Sequence, residues 1–503
     1  MSYFVIGVGG TGAKLMQSLI HLSAAGLLPE RGRTLTGLLV DPDENNGNVD
    51  SAKKLSAVYA ICKRLQCGTT DLFKNTVAIS GPWTPVSDPH VASLSTVFGY
   101  TRLRENEPAQ ADLMELLYAP EERELKIFEG FRGRPSIGAA VFGKSVNFRN
   151  GDWGEFRDDV RADAATYPSV PVLLSGSVFG GSGAAGVPTI CRLLQGEFRG
   201  VANNLRLGLA LFLPYFTFRP VPGDEMQADP HSFSTATAES LKYYDEGRFL
   251  EICHSIYAVG DETPAEMAVS AVGAGEQRND PHYVELVAGL GAVRFMSGAD
   301  GGDEHTLSIA MRQGAPDTGD TLRWQDLPVA DGQHGVQVAL LQRLALFAVV
   351  FRFRFFPEIV EDLRARKPRH HFVVTHMGRN PVSPEITIRE LEQVNTYVEW
   401  FLDWLLKISL PGGRPEFKPG LVNPNIFAVP GEAGWRLKTP PLPGGKGEFQ
   451  ERDLGNLVLN AEGNVKPDMG RIWHDADKTV NDSGANGTGR LVRAIYEACR
   501  IYF

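Results

Sequence analysis

The sequence predicts an α/β protein built on a parallel sheet. Three features predict it: an apolar strand running straight into a glycine-rich loop at the start of the chain, a second such strand and loop in the middle, and a helix opening from each loop. Residues 2–6 are short, apolar and rich in β-formers, as a buried parallel strand is. They feed Gly7-Val8-Gly9-Gly10-Thr11-Gly12. In the helix that follows, Leu15, Leu19 and Leu22 recur at i, i+4 and i+7, and Gly26 with Pro29 beyond it supplies the stop. A second apolar strand, residues 35–40, ends in Asp41-Pro42-Asp43-Glu44-Asn45-Asn46, completing a βαβ unit with acid at its tip.

The second strand, residues 170–174, runs through Ser175 and Gly176 into Gly180-Gly181-Ser182-Gly183. Small residues let a backbone curl around phosphate oxygens, and the Ser182 hydroxyl adds a donor. Two loops that each aim N–H groups and a helix N-terminus at an anion predict a nucleotide gripped from two sides. Taken alone, the first loop meets the G-x-G-x-x-G fingerprint with Asp41 where a ribose-binding acid belongs, so a Rossmann-type NAD-dependent enzyme is an alternative. It also resembles the opening of ubiquitin-activating and ThiF-like adenylating enzymes, but the Asn-x-x-Arg usual in those enzymes is absent after Asn45.

The second loop resembles the Gly-Gly-x-Gly-[Thr/Ser]-Gly signature of the tubulin and FtsZ superfamily, and three further stretches follow that family's pattern. Arg134-Pro135-Ser136-Ile137-Gly138-Ala139-Ala140 is similar to the loop facing the terminal phosphate. Pro214-Tyr215-Phe216-Thr217-Phe218-Arg219 is similar to the segment bordering the ribose. Asn279-Asp280 opens a helical stretch at 282–296, as an Asn-Asp pair does on the family's long central helix. The resemblance covers residues 1–310, and the run from Gly7 to Lys14 with the insertion-rich layout points to bacterial tubulin-like proteins outside the cell-division FtsZ group.

That resemblance implies a tubulin-like α/β fold: a parallel-sheet GTP-binding domain at 1–278, a long central helix with an acidic loop at 279–310, and a smaller α/β second domain at 311–503. It implies GTP or GDP with Mg²⁺, the distal phosphates held by Gly9, Gly10, Thr11 and Gly12 together with Gly180, Gly181, Ser182 and Gly183. Gly138 and Pro214 would border the nucleotide, Asn279 would read the guanine edge, and Asp41 or Asn45 would lie near the sugar or phosphate edge. The implied partner is a second copy, head to tail, or another protein subunit. Hydrolysis in the family is completed at the subunit interface by an acidic loop. Here that loop reads Gly298-Ala299-Asp300-Gly301-Gly302-Asp303-Glu304-His305, without the Asn-x-Asp-x-x-Asp pattern. Asp300, Asp303 and Glu304 either position water for slow phosphoryl transfer or form a solvated turn, and the second case describes a non-hydrolysing, nucleotide-gated scaffold.

Length and composition agree with a globular chain of two or three domains: 503 residues, 43% hydrophobic and 22% charged. A net charge of −10 offers no overall basic face for nucleic acid, and the basic run at 364–371 reads as a helix end or solvated face. Five cysteines without C-x-x-C spacing suit a reducing cytoplasm and no structural zinc. Met1-Ser2 leads directly into a strand with no signal peptide ahead of it, and the longest apolar run, 344–351, is short of the ~20 residues a membrane span needs. A cytoplasmic location is expected. His371 and His376 flank an expected strand at 372–375, whose alternation sets them on opposite faces, so no metal site is expected there.

Further along, residues 313–332 read as a boundary or long loop, and a helix at 336–365 is expected to be interrupted at Pro357. Thr387 and Glu390 form a capping box ahead of the stripe Leu391, Val394, Val398, Phe401 and Leu405. Residues 411–448, rich in Pro and Gly, read as an extended excursion, and 491–503 as an amphipathic helix.

Overall fold

Seven parallel strands form the centre of the protein in a computed structural model that describes residues 1–65, 67–68, 70–86, 92–218, 232–262, 264–267, 279–299, 305–312, 324–328, 334–365, 369–379, 383–409, 421–422, 428–431, 434–437, 469–480 and 487–502. They are β1 (Ser2–Val8), β2 (Thr34–Val40), β3 (Thr76–Trp83), β4 (Val170–Ser177), β5 (Leu205–Phe212), β6 (Ser255–Asp261) and β7 (Thr306–Arg312). Their order across the sheet is β3-β2-β1-β4-β5-β6-β7, and every pairing is parallel. The α/β class and parallel sheet expected from the sequence are therefore present.

Every residue of β4 is buried, as a strand covered on both faces must be. Alternation along β1 sends Tyr3 and Val5 to one core and Phe4, Ile6 and Val8 to the other. The first core is covered by α1 (Gly9–Ala25), α2 (Gly47–Arg64) and, further along the chain, the helix Tyr283–Ser297. The second is covered by α3 (Pro135–Ser145), α4 (Gly151–Thr166) and α5 (Gly181–Glu197). Thus α1 and α5, which leave the neighbouring strands β1 and β4, go to opposite faces. That divergence marks the topological switch point of a doubly wound sheet.

The helix Tyr283–Ser297, called α7 after α6 (Phe233–Glu246), matches the expected helical stretch within one residue at each end. Beyond β7 the described residues are mainly helical: α8 (His334–Val350), α9 (Phe356–Arg364), α10 (His371–Arg379), α11 (Pro384–Ser409), α12 (Met469–Thr479) and α13 (Gly487–Ala498). Leu346 of α8, Val398 of α11 and Ile495 of α13 belong to the same core as Leu19 of α1. The described part of the segment expected as a second α/β domain is thus a helical layer on one face of the sheet, with one strand pair of its own, Ala428–Gly431 with Gly434–Leu437. Most of the expected excursion at 411–448 lies outside the described residues.

Several local expectations are corrected. Residues 372–375 are helix, not strand: α10 buries Phe372, Val373 and His376 and leaves Val374 exposed, a pattern that such a short apolar run does not separate from alternation. The helix carrying Thr387 starts at Pro384, with the Ser383 hydroxyl accepting from Ile386 N at 3.4 Å, so Thr387 is buried inside α11 and no capping box forms. Pro357 does not break its helix, because a π turn at Phe351–Phe355 carries the chain past it. Among the described residues one stretch, Gly335–Arg364, is long and apolar enough to cross a membrane, and 72% of its apolar window is buried in the fold, as in a core helix.

The tightest packing lies where α1 leaves the sheet. A Cβ on Gly12 would stand 2.5 Å from the Gly7 carbonyl carbon and 2.8 Å from the Ser175 oxygen, both backbone atoms that cannot turn aside. Gly196, near the end of α5, would meet nothing within 4 Å. Gly12→Ala is therefore expected to lower stability by about 1–3 kcal/mol or more through overpacking, while Gly196→Ala raises it by up to about 1 kcal/mol through helix propensity. Urea unfolding midpoints of the two variants, read against the unaltered chain, check both signs.

Candidate functional site

The two glycine loops meet. Gly9, at φ +72°, has no side chain, and a Cβ there would lie 3.4 Å from Ser182 Cβ and 3.7 Å from Gly183 N. Gly183 in turn crosses back over β4, where a Cβ would stand 2.6 Å from Ser177 N. Within the loops Gly9, Gly12 and Gly183 are buried, whereas Gly10, Thr11, Gly180, Gly181 and Ser182 stay partly open. The open residues are the first turns of α1 and α5. Neither helix start has a side-chain cap and neither carries an acid in its first turn. Two helix starts, each with unspent N–H groups and a positive dipole end, therefore converge on one spot outside the carboxyl ends of β1 and β4.

The third stretch is displaced from its expectation. Residues 135–140 are the first turns of α3 rather than a loop, and Gly138 is buried where a Cβ would come 2.6 Å from Ala185 Cβ of α5. Gly138 thus lets α3 approach α5. It is the preceding turn that reaches the second loop, since a Cβ on Gly181 would stand 3.1 Å from Gly133 N.

Asp41, expected at the sugar edge, is 3% exposed and turned inward. Its Oδ1 accepts from Asp43 N at 3.0 Å and its Oδ2 from Asn46 Nδ2 at 3.3 Å. Asn45 is exposed on the same turn, its N–H bonded to Asp43 Oδ1 at 2.9 Å. The amides that approach the first loop are instead Asn46 and Asn48: Asn48 Nδ2 is 3.0 Å and Asn46 Nδ2 3.3 Å from where a Cβ on Gly10 would stand. Asn46 also caps α2 by accepting from Asn48 N. Both belong to the Asn-Asn-Gly-Asn run, whose density of amides was the available signal.

Asn279 is brought to this place from 231 residues further along the chain, its backbone N donating to Asn48 Oδ1 at 3.0 Å. Beneath it lies a buried polar cluster that the sequence did not mark. Lys14 Nζ sits 2.5 Å from Glu285 Oε1 and donates to the Asp280 carbonyl at 2.6 Å, and the Tyr215 hydroxyl donates to the same Glu285 oxygen at 3.1 Å. Burial raises the Glu285 pKa, while Lys14 opposes it. Pro214 sits just before Tyr215, and its carbonyl accepts from Asp261 N at 3.1 Å. Asp300, Asp303 and Glu304, the candidate catalytic acids, lie outside the described residues.

Burial pushes the Asp41 carboxyl up to about 7, against the pull of the Asp43 N–H. A folded pKa raised above the unfolded value of about 3.9 means that the unfolded chain ionises first. The stability this group contributes is therefore full below about pH 4 and lost as pH rises toward about 7. Urea midpoints across that window are expected to fall less steeply in Asp41→Asn than in the unaltered chain.

No protein-family model and no curated protein matches the chain.

Proposed function

We propose that the protein binds a guanine nucleotide, its phosphates held with Mg²⁺ between the first turns of α1 and α5, in the manner of a tubulin-like protein. One observation carries this reading: two uncapped helix starts, from strands on either side of the switch point, touch through Gly9 and Ser182. Gly10, Thr11, Gly180 and Gly181 supply backbone donors, Ser182 a hydroxyl, and Asn279 the base-facing amide that the resemblance implies, while the buried Gly12 and Gly183 let the loops close. Head-to-tail self-association in the cytoplasm, or assembly with other subunits, is the partner mode that goes with this reading. Slow hydrolysis is assigned to Asp300, Asp303 and Glu304, and a chain that binds without turnover is a nucleotide-gated scaffold.

A dinucleotide reading has one observation in its favour, the close approach of Gly12 to Gly7 in a G-x-G-x-x-G loop at the switch point. The inward-turned Asp41, with both oxygens engaged, speaks against it.

Chromatography of whatever the purified protein releases on denaturation separates the two: GDP or GTP supports the first reading and NAD the second. Ser182→Asp is the informative variant. A carboxylate in the first turn of α5 favours the helix, so the fold is expected to hold. The same charge competes with phosphate, and GDP affinity measured by equilibrium dialysis is expected to fall by about tenfold or more.

A further inference from the structure

Beside the first glycine loop lies a cleft of about 370 Å³ with walls from distant parts of the chain. Gln17 of α1 and Asn48 of α2 line one side, Asn279 and Asp280 the rim, and Trp400, Asp403 and Trp404 of α11 the other side. Asn48 joins cleft to loop, because its Nδ2 approaches Gly10 while its Oδ1 holds Asn279 N. A group seated here is thus continuous with one seated at the helix starts. The rim is pinned from both sides: Lys14 holds the Asp280 carbonyl, and Lys407 of α11 reaches Asp280 Oδ1 at 2.9 Å and Asp403 Oδ2 at 3.0 Å. Trp404 is 3% exposed with an indole N–H that has no acceptor among the described residues, and Trp400 is half-buried. The Asn279 side chain likewise has no hydrogen-bond partner among the described residues.

We propose that α11 forms the outer wall of the base subsite, with the purine lying across Trp400 and Asp403 accepting from the donors on its edge. The proposal rests on the nucleotide reading above and adds to it a contribution from the helical layer. Its chemistry follows from the donor and acceptor inventory. An ionised carboxylate only accepts. Guanine presents N1–H and N2–H₂ side by side, two donors for one carboxylate, whereas adenine presents a bare N1 that would face the carboxylate's lone pairs. The amides of Asn48 and Asn279, which both donate and accept, suit the remaining ring positions. An aromatic face beside a polar edge is what a stacked base requires.

The test uses the full chain, with GDP and ADP as probes, equilibrium dialysis for affinity and tryptophan fluorescence as a second readout. GDP is expected to quench the fluorescence of the unaltered protein. Trp400→Leu is expected to lose part of that quench and about 5- to 100-fold in GDP affinity, and Trp400→Phe, which restores a ring, to recover most of the affinity. Asp403→Asn is expected to narrow the preference for GDP over ADP by about tenfold or more. If the unaltered protein binds GDP and all three variants match it in affinity and preference, the role of α11 is overturned and the nucleotide reading stands. If the unaltered protein binds neither GDP nor ADP, the nucleotide reading itself falls and takes this proposal with it.

Discussion

The structure depends on a steric constraint at one place, the crossing of two backbones where α1 and α5 leave the sheet. Gly7 and Gly12 press together within β1 and its loop, Gly176 and Gly183 within β4 and its loop, and each of these four positions would put a Cβ within about 3 Å of backbone. With all four bare, two adjacent parallel strands send their helices to opposite faces while both helix starts remain side by side. The meeting of the two helix starts and the doubly wound topology are thus one feature. A side chain at any of these positions would disturb the packing of the sheet before it reached a ligand.

A buried polar cluster sits directly behind that crossing. Lys14 and Glu285 are 3% and 1% exposed, so their charges are paired out of water, with Tyr215 and the Asp280 carbonyl completing the hydrogen bonding. Such pairs add little net stability, but removing one partner leaves a stranded charge at a cost of about 3–5 kcal/mol. Their effect here is positional. Lys14 comes from the second turn of α1 and Glu285 from the first turn of α7, so the pair fixes where α7 begins relative to the first glycine loop. Asn279 reaches Asn48 because the segment ahead of α7 is held this way.

What the sequence disclosed and what it concealed divide along the range of the forces involved. The strands β1, β2 and β4, the glycine loops and α7 were legible because each rests on local signals, an apolar run, a glycine cluster or a stop residue. Asp41 shows the limit of motif reading. Its place at a strand tip suggested ribose, but the neighbouring N–H of Asp43 and amide of Asn46 are nearer partners than any ligand and turn the carboxylate inward. The Lys14–Glu285 pair left no trace because its partners are far apart in the chain, and a lysine in a helix's second turn or a glutamate opening a helix is unremarked alone. Gly138 was read as a loop residue when its use is to let two helices close, since a motif's letters do not distinguish a bare turn from a bare contact.

The helical layer changes what residues 1–278 can be taken to be. His21 of α1 is fully buried with its ring 4.8 Å from Trp404 and its Nδ1 3.2 Å from the Tyr397 hydroxyl, and burial alone pushes its pKa down to about 3, so it is neutral there. A helix that begins at the first glycine loop therefore runs into the core shared with α11. Without α11 the rings of His21 and Tyr59, which meet Tyr397 of that helix, would lose their cover, and a separate GTP-binding domain at 1–278 would carry an exposed core face. The helical layer is better understood as the second cover of the sheet than as an appended domain.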